Sequence, residues 1–154
     1  MERRILGTIP PKCTGCHLCE SVCSLSHEER MNLTLSRIQI DPSGDSSFFP
    51  RVCHQCEKCP PSQVCPNEAF LRDEGTGVVT IVKELCDQCG LCISECPFSA
   101  VFEGDKNVLV CDLCHGNPRC VEVCQKQALL FTPLESPAAC SGDDGCFFFS
   151  EHGV

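Results

Sequence analysis

The residues with the clearest chemistry are the cysteines of segment 86–97. They follow the spacing C-x2-C-x2-C-x3-C-P. In runs of this kind three thiolates bind one [4Fe-4S] cluster, and the fourth cysteine binds a different cluster. The segment therefore predicts an iron–sulfur site that needs a second cysteine run elsewhere in the chain.

Three further groups of four cysteines meet that need. The four quartets use sixteen of the 18 cysteines, enough for four [4Fe-4S] clusters. In chain order they are Cys13/Cys16/Cys19/Cys23, Cys53/Cys56/Cys59/Cys65, Cys86/Cys89/Cys92/Cys96 and Cys111/Cys114/Cys120/Cys124. We predict that these sixteen cysteines bind iron.

Two other uses of dense cysteine fit this spacing less well. Zinc sites take four ligands from two cysteine pairs and have no use for triplets spaced by two residues. Disulfide scaffolds belong to oxidising compartments. Cys140 and Cys146 fall outside the quartets, and we interpret them as free or packing thiols rather than as ligands.

Length, apolar content and net charge indicate which compartment and which partners to expect. The 154 residues fit one domain or two very small ones. The first residues lack a secretory signal, and no stretch approaches the roughly 18 apolar residues of a membrane span, so we expect a cytoplasmic chain without membrane insertion. The formal net charge of −9 disfavours nucleic acid and favours protein partners with basic docking faces.

Short elements must position the quartets. A strand is predicted at residues 4–9, where a proline pair ends it, and a helix at residues 20–29. The alternation of apolar and polar residues from Leu35 predicts a further strand. The inner side of that helix is expected to carry Val22, Leu25 and Ser26. Segment 41–47 reads as a loop, and Phe48-Phe49-Pro50 as the approach to quartet two.

Predicted hairpins alternate with the quartets. One lies between quartets two and three (69–82) and one between quartets three and four (100–110), and segment 127–131 begins in the same way. The pattern is an internal repeat. We predict an α+β domain over residues 1–131 and a separate tail over 132–154, whose apolar triplet Phe147-Phe148-Phe149 packs on the domain or on a partner.

Four quartets in this order resemble the iron–sulfur subunits of molybdenum and tungsten oxidoreductases. These include the dimethyl-sulfoxide-reductase group and shorter relatives beside carbon monoxide dehydrogenase, tungsten aldehyde oxidoreductase and class II benzoyl-CoA reductase. The resemblance covers residues 4–131. It is carried by Cys13-Thr-Gly-Cys16, Cys65-Pro66, Cys96-Pro97, Cys111-Asp-Leu-Cys114 and Pro118-Arg-Cys120-Val-Glu-Val-Cys124.

The resemblance implies a duplicated bacterial 2[4Fe-4S] ferredoxin-like fold, with short helices and β-hairpins around four clusters. In that family the first quartet pairs with the fourth and the second with the third. The implied ligand sets are Cys13/Cys16/Cys19/Cys124, Cys111/Cys114/Cys120/Cys23, Cys53/Cys56/Cys59/Cys96 and Cys86/Cys89/Cys92/Cys65.

The sequence departs from the family pattern at two places. The third cysteine of quartet two, Cys59, comes early, so its loop must take a different path. Gln125 stands where proline normally follows the last cysteine of quartet four. Because proline removes a backbone donor, the cluster at Cys124 is expected to have a changed potential.

Other polar residues carry no recognisable catalytic set. Every quartet already has four cysteines, so the histidines are expected to be hydrogen-bond donors near the clusters or surface groups. They are His17, His27, His54, His115 and His152. Asp112 and Glu122 are interpreted as solvated.

The sequence therefore predicts a non-catalytic subunit that conducts single electrons through four [4Fe-4S] clusters. By resemblance, its catalytic partner is a tungsten or molybdenum aldehyde oxidoreductase, with carbon monoxide dehydrogenase, hydrogenase or benzoyl-CoA reductase as alternatives. A ferredoxin, a flavin subunit or a second copy would meet the other end. The remaining alternatives are a cluster-based redox regulator and a free-standing ferredoxin.

Overall fold

The computed structural model describes residues 3–133, in which short strands and helices alternate. The strands are β1 (Arg4–Thr8), β2 (Ile38–Pro42), β3 (Phe48–Val52), β4 (Phe70–Arg72), β5 (Val79–Ile81) and β6 (Leu129–Pro133). The helices are α1 (Leu18–Glu28), α2 (Pro60–Val64), α3 (Leu91–Glu95) and α4 (Arg119–Val123). The architecture is α+β. Most of the predicted tail, including Cys140, Cys146 and the phenylalanine triplet, lies outside the described residues.

The two ends of the described chain are joined by a strand pair. β1 runs antiparallel to β6, with Leu6 opposite Phe131. Ile5 and Leu6 are buried, and the following proline pair ends β1 because proline lacks the amide that a ladder needs. The strand predicted at 4–9 is confirmed, and β6 runs two residues past the boundary predicted at 131.

The inner side of α1 is more polar than the sequence suggested. Val22 packs against the core as predicted, but Leu25 and Ser26 are exposed, so that part of the prediction is wrong. Buried Glu20 takes their place, and its carboxylate accepts the amide hydrogen of Ile40 at 2.9 Å. Hydrophobic pattern alone could not find this because the partner comes from a later strand.

Of the two strands of the β2–β3 hairpin, only β2 was predicted from the sequence. β2 begins at Ile38, later than expected, because Asn32 caps a 3₁₀ turn at Leu33–Leu35 through its side-chain oxygen. β3 was not predicted, because residues 48–50 were interpreted only as the approach to quartet two; Pro50 lies at the centre of this strand. Proline is tolerated here because β3 pairs with β2 on one side only.

The two hairpins between quartets differ in length. The one predicted at 69–82 is confirmed as β4–β5, with Phe70 opposite Ile81. The one predicted at 100–110 is reduced to a single antiparallel bridge between Phe102 and Leu109. The repeat seen in the sequence is therefore only approximate in the backbone.

The helices place cysteines inside the molecule. α2, α3 and α4 each end directly before the last cysteine of a quartet. α1 packs against α4, and α2 packs against α3. The largest apolar cluster mixes aliphatic side chains with buried cysteines: Leu6, Ile38, Ile40, Val52, Leu113 and Leu129 with Cys19, Cys23, Cys111 and Cys120. The core is thus built around sulfur.

The described residues include no helix long and apolar enough to cross a bilayer.

The end of α1 offers a test of this helix. Glu29 follows it in the left-handed conformation, with φ of +56°. Glycine adopts this conformation without strain, so Glu29→Gly should raise the unfolding free energy by about 1 kcal/mol. Ser26→Gly, at an exposed position inside the same helix, should lower it by up to about 1 kcal/mol. Anaerobic denaturant unfolding measures both changes; a loss of stability in Glu29→Gly would contradict the assigned helix end.

Candidate metal centres

All sixteen cysteines predicted as ligands lie in the described residues, where each is a free thiol. The structure brings cysteines of different quartets together. One cavity of about 100 Å³ is lined by Cys13, Cys16, Cys19 and Cys124. A smaller cavity is lined by Cys53, Cys56, Cys59 and Cys96. In both cavities the first three cysteines of one quartet meet the last cysteine of another.

The remaining cysteines approach one another in the same crossed manner. Cys92 lies within electrostatic range of Cys86 and Cys89 of its own quartet and of Cys65 from quartet two. Cys120 lies within range of Cys114 and of Cys23 from quartet one. Cys111 also interacts with Cys120 and Cys23.

Burial makes several of the cysteine thiols hard to ionise in the absence of metal, whereas at Cys23 burial is outweighed by hydrogen bonds from His27 and Arg37, which lower the pKa. Burial raises the pKa of Cys19 to about 12, with a further contribution from the charge of Glu20. It raises the pKa of Cys53 to about 12 and that of Cys92 to about 11. Iron binds the thiolate, so its positive charge must offset both burial and the repulsion between neighbouring sulfurs. Groups of four soft sulfur donors in an apolar setting fit an iron–sulfur cluster.

Each quartet contains the same local backbone feature. The residue directly before the second cysteine is left-handed in all four, with φ of +66° at Gly15, +54° at Gln55, +60° at Gln88 and +56° at Leu113. This conformation curls the chain tightly between the first two cysteines. Three of the four residues are not glycine, so each carries strain on the order of 1–2 kcal/mol.

A second shared feature follows the last cysteine of quartets two, three and four. There the sulfur accepts the backbone amide hydrogen of the alanine four residues later, at 3.3 Å from Ala69 to Cys65, 3.4 Å from Ala100 to Cys96 and 3.3 Å from Ala128 to Cys124. All three alanines are buried. The residue before each alanine is left-handed. The turn survives in quartet four although Gln125 replaces the usual proline.

Quartet one is built differently around its last cysteine. Cys23 lies inside α1, and its sulfur accepts the amide hydrogen of distant Arg37 at 3.2 Å. His27 Nδ1 lies 3.8 Å from the same sulfur, and His27 Nε2 lies 3.0 Å from Asp112 Oδ1. Hydrogen bonding to Asp112 raises the pKa of His27 to about 12. His27 is therefore a donor beside a predicted ligand, as expected.

The environment of Asp112 corrects one sequence prediction. Asp112 was expected to be solvated, but it is largely buried against His27. Although burial opposes it, the hydrogen bond from His27 lowers the pKa of Asp112 to about 2. His27, Asp112 and Cys114 could together hold a metal ion, yet Cys114 belongs to quartet four, so this trio is part of that sulfur site. Glu122 is exposed, as predicted.

The other described histidines lie near the quartets. His17 pairs with Glu20 at the start of α1. The His54 ring stacks on Phe98, with ring centroids 4.0 Å apart. His115 is exposed, and His152 lies outside the described residues.

A buried glutamine that sequence analysis missed links three parts of the site. Gln55 Nε2 donates to the carbonyl of Cys111 at 2.6 Å, and its Oε1 accepts the amide hydrogen of Val79 at 2.7 Å. Its own carbonyl accepts a hydrogen bond from Arg3. Gln55 therefore connects quartet two to quartet four and to β5. No sequence pattern marks a glutamine for this role, because both partners are distant backbone groups.

Gln55 and Gln88 occupy equivalent positions but differ in burial, which gives a matched test. Gln55→Ala leaves the Cys111 carbonyl and the Val79 amide buried without partners, so it should lower the unfolding free energy by about 2–4 kcal/mol. Within residues 3–133, exposed Gln88 donates only to the Gly104 carbonyl, so Gln88→Ala should lower the unfolding free energy by less than about 1 kcal/mol. Equal losses in anaerobic unfolding would count against the bridging role.

Gly15 and Gly90 give a second matched pair. Both have positive φ, but a Cβ at Gly15 would lie 2.5 Å from the Phe48 ring, whereas a Cβ at Gly90 meets nothing within 4 Å. Both alanine variants incur backbone strain of about 1 kcal/mol. Gly15→Ala must also displace Phe48 and should lose a further 1–3 kcal/mol or so. Unfolding midpoints compare the two variants, and a larger loss in Gly90→Ala would refute the packing argument.

Comparisons with known proteins identify the family of this chain. The 4Fe-4S dicluster domain family matches residues 45–134. The polyferredoxin-like subunit of aliphatic sulfonate oxidoreductase from Pyrococcus furiosus is 41% identical, over 81% of this chain and 73% of that protein. Electron transport protein HydN from Escherichia coli K12 is 32% identical, over 77% of this chain and 82% of that protein.

A solved structure is similar at the level of the fold. One chain of the active site complex BamBC of benzoyl coenzyme A reductase, in complex with benzoyl-CoA, is 25% identical with a TM-score of 0.52. The match covers 86% of this chain and 80% of that chain. These similarities lead to one conclusion: the chain belongs to the 4Fe-4S dicluster domain family and is an iron–sulfur electron-transfer subunit.

Proposed function

We propose that this chain holds four [4Fe-4S] clusters and passes electrons between a catalytic oxidoreductase subunit and a redox partner. The observation that carries the proposal is that the last cysteine of each quartet meets the first three cysteines, or some of them, of another quartet. The proposed ligand sets are site I (Cys13, Cys16, Cys19, Cys124), site II (Cys111, Cys114, Cys120, Cys23), site III (Cys53, Cys56, Cys59, Cys96) and site IV (Cys86, Cys89, Cys92, Cys65).

Contacts between the sets support a linear order from site I to site IV. Cys19 of site I lies within electrostatic range of Cys120 of site II. Cys53 of site III lies within range of Cys111 of site II. Sites III and IV exchange ligands through quartets two and three, whose helices α2 and α3 pack together. The two halves of a duplicated ferredoxin-like fold would then be sites I with II and sites III with IV.

Exposure supports the same order and favours sites I and IV as its two ends. Of the sixteen thiols only Cys16 in site I and Cys89 in site IV are exposed. Bound [4Fe-4S] clusters take up and release single electrons. The chain itself holds the sulfurs in fixed positions, keeps those of sites II and III at least partly buried and leaves one ligand exposed at each end. Partners would therefore exchange electrons beside Cys16 and beside Cys89.

For the catalytic partner we propose a tungsten or molybdenum oxidoreductase of the aldehyde oxidoreductase type. Support for the metal comes from the family resemblance in the quartets alone; the relative that is a subunit of an aliphatic sulfonate oxidoreductase supports an oxidoreductase as the partner. A ferredoxin, a flavin subunit or a second copy of this chain would occupy the other end. Anaerobic isolation with this chain as bait, followed by metal analysis, tests the partner: tungsten or molybdenum supports it, and nickel would overturn it.

The crossed ligation has a direct test. Wild-type protein should contain about 16 iron atoms per chain, and each single Cys→Ala variant of a ligand should lose about four. Cys124→Ala should remove the same spectroscopic component as Cys16→Ala, whereas Cys114→Ala, in the same quartet as Cys124, should remove a different one. Mössbauer and electron paramagnetic resonance spectra make the comparison.

Cys140→Ala is the control. Because Cys140 lies outside the quartets, this variant should retain the full iron content. Two results would contradict the proposal. One is wild-type protein with about eight iron atoms or with zinc. The other is a Cys124→Ala spectrum that matches Cys114→Ala instead of Cys16→Ala.

A further inference from the structure

Two side chains next to the proposed ligands come together at sites I, III and IV. One belongs to the residue directly after the first cysteine of a quartet. The other belongs to the residue two positions after the last cysteine of the partner quartet. Each follows a ligand of the same site closely, so crossed ligation brings the two together. We call these two side chains the clasp of that site.

The clasps at the two ends of the row are polar and exposed. At site I, Thr14 and Lys126 line the same cavity as the four cysteines. At site IV, the side chains of Asn67 and Asp87 are hydrogen-bond partners. All four clasp residues are exposed, as residues of these types usually are. Sites I and IV are also the two sites with an exposed thiol.

The clasp at site III is a pair of stacked rings. The rings of His54 and Phe98 are nearly parallel, with an interplanar angle of 9° and centroids 4.0 Å apart. Both residues line the site III cavity and both are half-buried, so the ring pair reaches from the cavity to the surface. Stacked rings bury a large apolar area and hold each other in one orientation. None of the four site III thiols is exposed.

Prolines stiffen the backbone on either side of this clasp. Pro60 and Pro61 directly follow the third cysteine of quartet two, and Pro97 directly precedes Phe98; all three prolines line the site III cavity. A proline ring fixes φ, so the chain next to these ligands has little freedom to open. The ring pair therefore closes the cavity between two segments that are themselves held in place.

Site II is shielded in another way. Its last cysteine, Cys23, lies inside α1, and Asp112 hydrogen-bonds with His27 of that helix. Three of its four thiols, Cys23, Cys111 and Cys120, are buried. The thiols of site III are only partly buried, so site III depends more on its clasp.

We propose, building on the proposed function, that the His54–Phe98 ring pair closes site III to water and to outside redox reagents. Electrons then enter and leave the row only at sites I and IV. The apolar shell around a metal site controls its access to solvent, and the polar clasps at the two ends let a partner come close. His54 and Phe98 are therefore positioning residues that insulate the middle of the row, and neither is an iron ligand.

The test is anaerobic removal of iron by a ferrous-iron chelator, followed by Mössbauer spectroscopy. His54→Ala and Phe98→Ala each remove one ring, so about four iron atoms should leave roughly tenfold faster than from wild-type protein. The spectroscopic component that is lost first should be the one missing from Cys96→Ala. His54→Phe keeps two stacked rings and should restore the wild-type rate. In D2O, electron nuclear double resonance should show stronger deuterium couplings at that same cluster in the alanine variants.

Phe49→Ala is the matched control, because Phe49 is an exposed ring on β3 that does not line the site III cavity. It should lose iron at the wild-type rate. Where an alanine variant is purified without iron, Phe98→Leu replaces it, since leucine keeps apolar bulk but cannot stack.

Three results would overturn the inference. The first is that the ring variants lose iron no faster than Phe49→Ala, or lose another component first. The second is that His54→Phe behaves like His54→Ala. The third is that Phe98→Leu also fails to assemble its clusters, since that would mean a structural role. If wild-type protein holds about eight iron atoms instead of about 16, the proposed function itself fails.

Discussion

The structure depends on the close approach of thiols that cannot easily ionise on their own. Burial raises the pKa values of Cys19, Cys53 and Cys92, and neighbouring sulfurs repel one another once charged. Without a cation this arrangement opposes folding. With iron bound, the same sulfurs become the centres around which the aliphatic residues of the core pack. This explains how a chain with nine phenylalanines and no other aromatic residue can form a defined interior.

A small set of backbone turns supplies most of the site. A left-handed residue precedes the second cysteine of every quartet, and a buried alanine follows the last cysteine of three quartets at the same distance along the chain. The exception, Cys23, lies inside α1, where the alanine turn cannot form. One departure in secondary structure therefore brings a histidine and an arginine to a single sulfur. The same backbone turns recur at the quartets, and the helix that replaces one of these turns at Cys23 gives that sulfur different neighbours.

The quartets, strand β1 and the β4–β5 hairpin could be predicted from the sequence, because cysteine spacing and alternation of apolar residues are local signals. Side chains whose partners come from distant segments could not be predicted in this way. Asp112 looks solvated until His27 is placed against it, and Gln55 looks ordinary until the Cys111 carbonyl meets it. β3 was not predicted either: it contains Pro50, which is acceptable only at a free strand edge, and the sequence does not reveal which edge is free.

The pairing of β1 with β6 also determines the order in which segments of the chain can fold while it is being synthesised. The contacts are nested: α2 with α3 lies inside α1 with α4, and β1 with β6 encloses both. The segment from α2 to α3 leaves the ribosome complete before α4 and β6, the partners of α1 and β1, have been synthesised. The amino-terminal quartet is made first, yet its packing partners are made last, so its thiols stay exposed to oxidants longest. The earliest cysteines in the sequence are thus the ones that most need protection while the protein is being made.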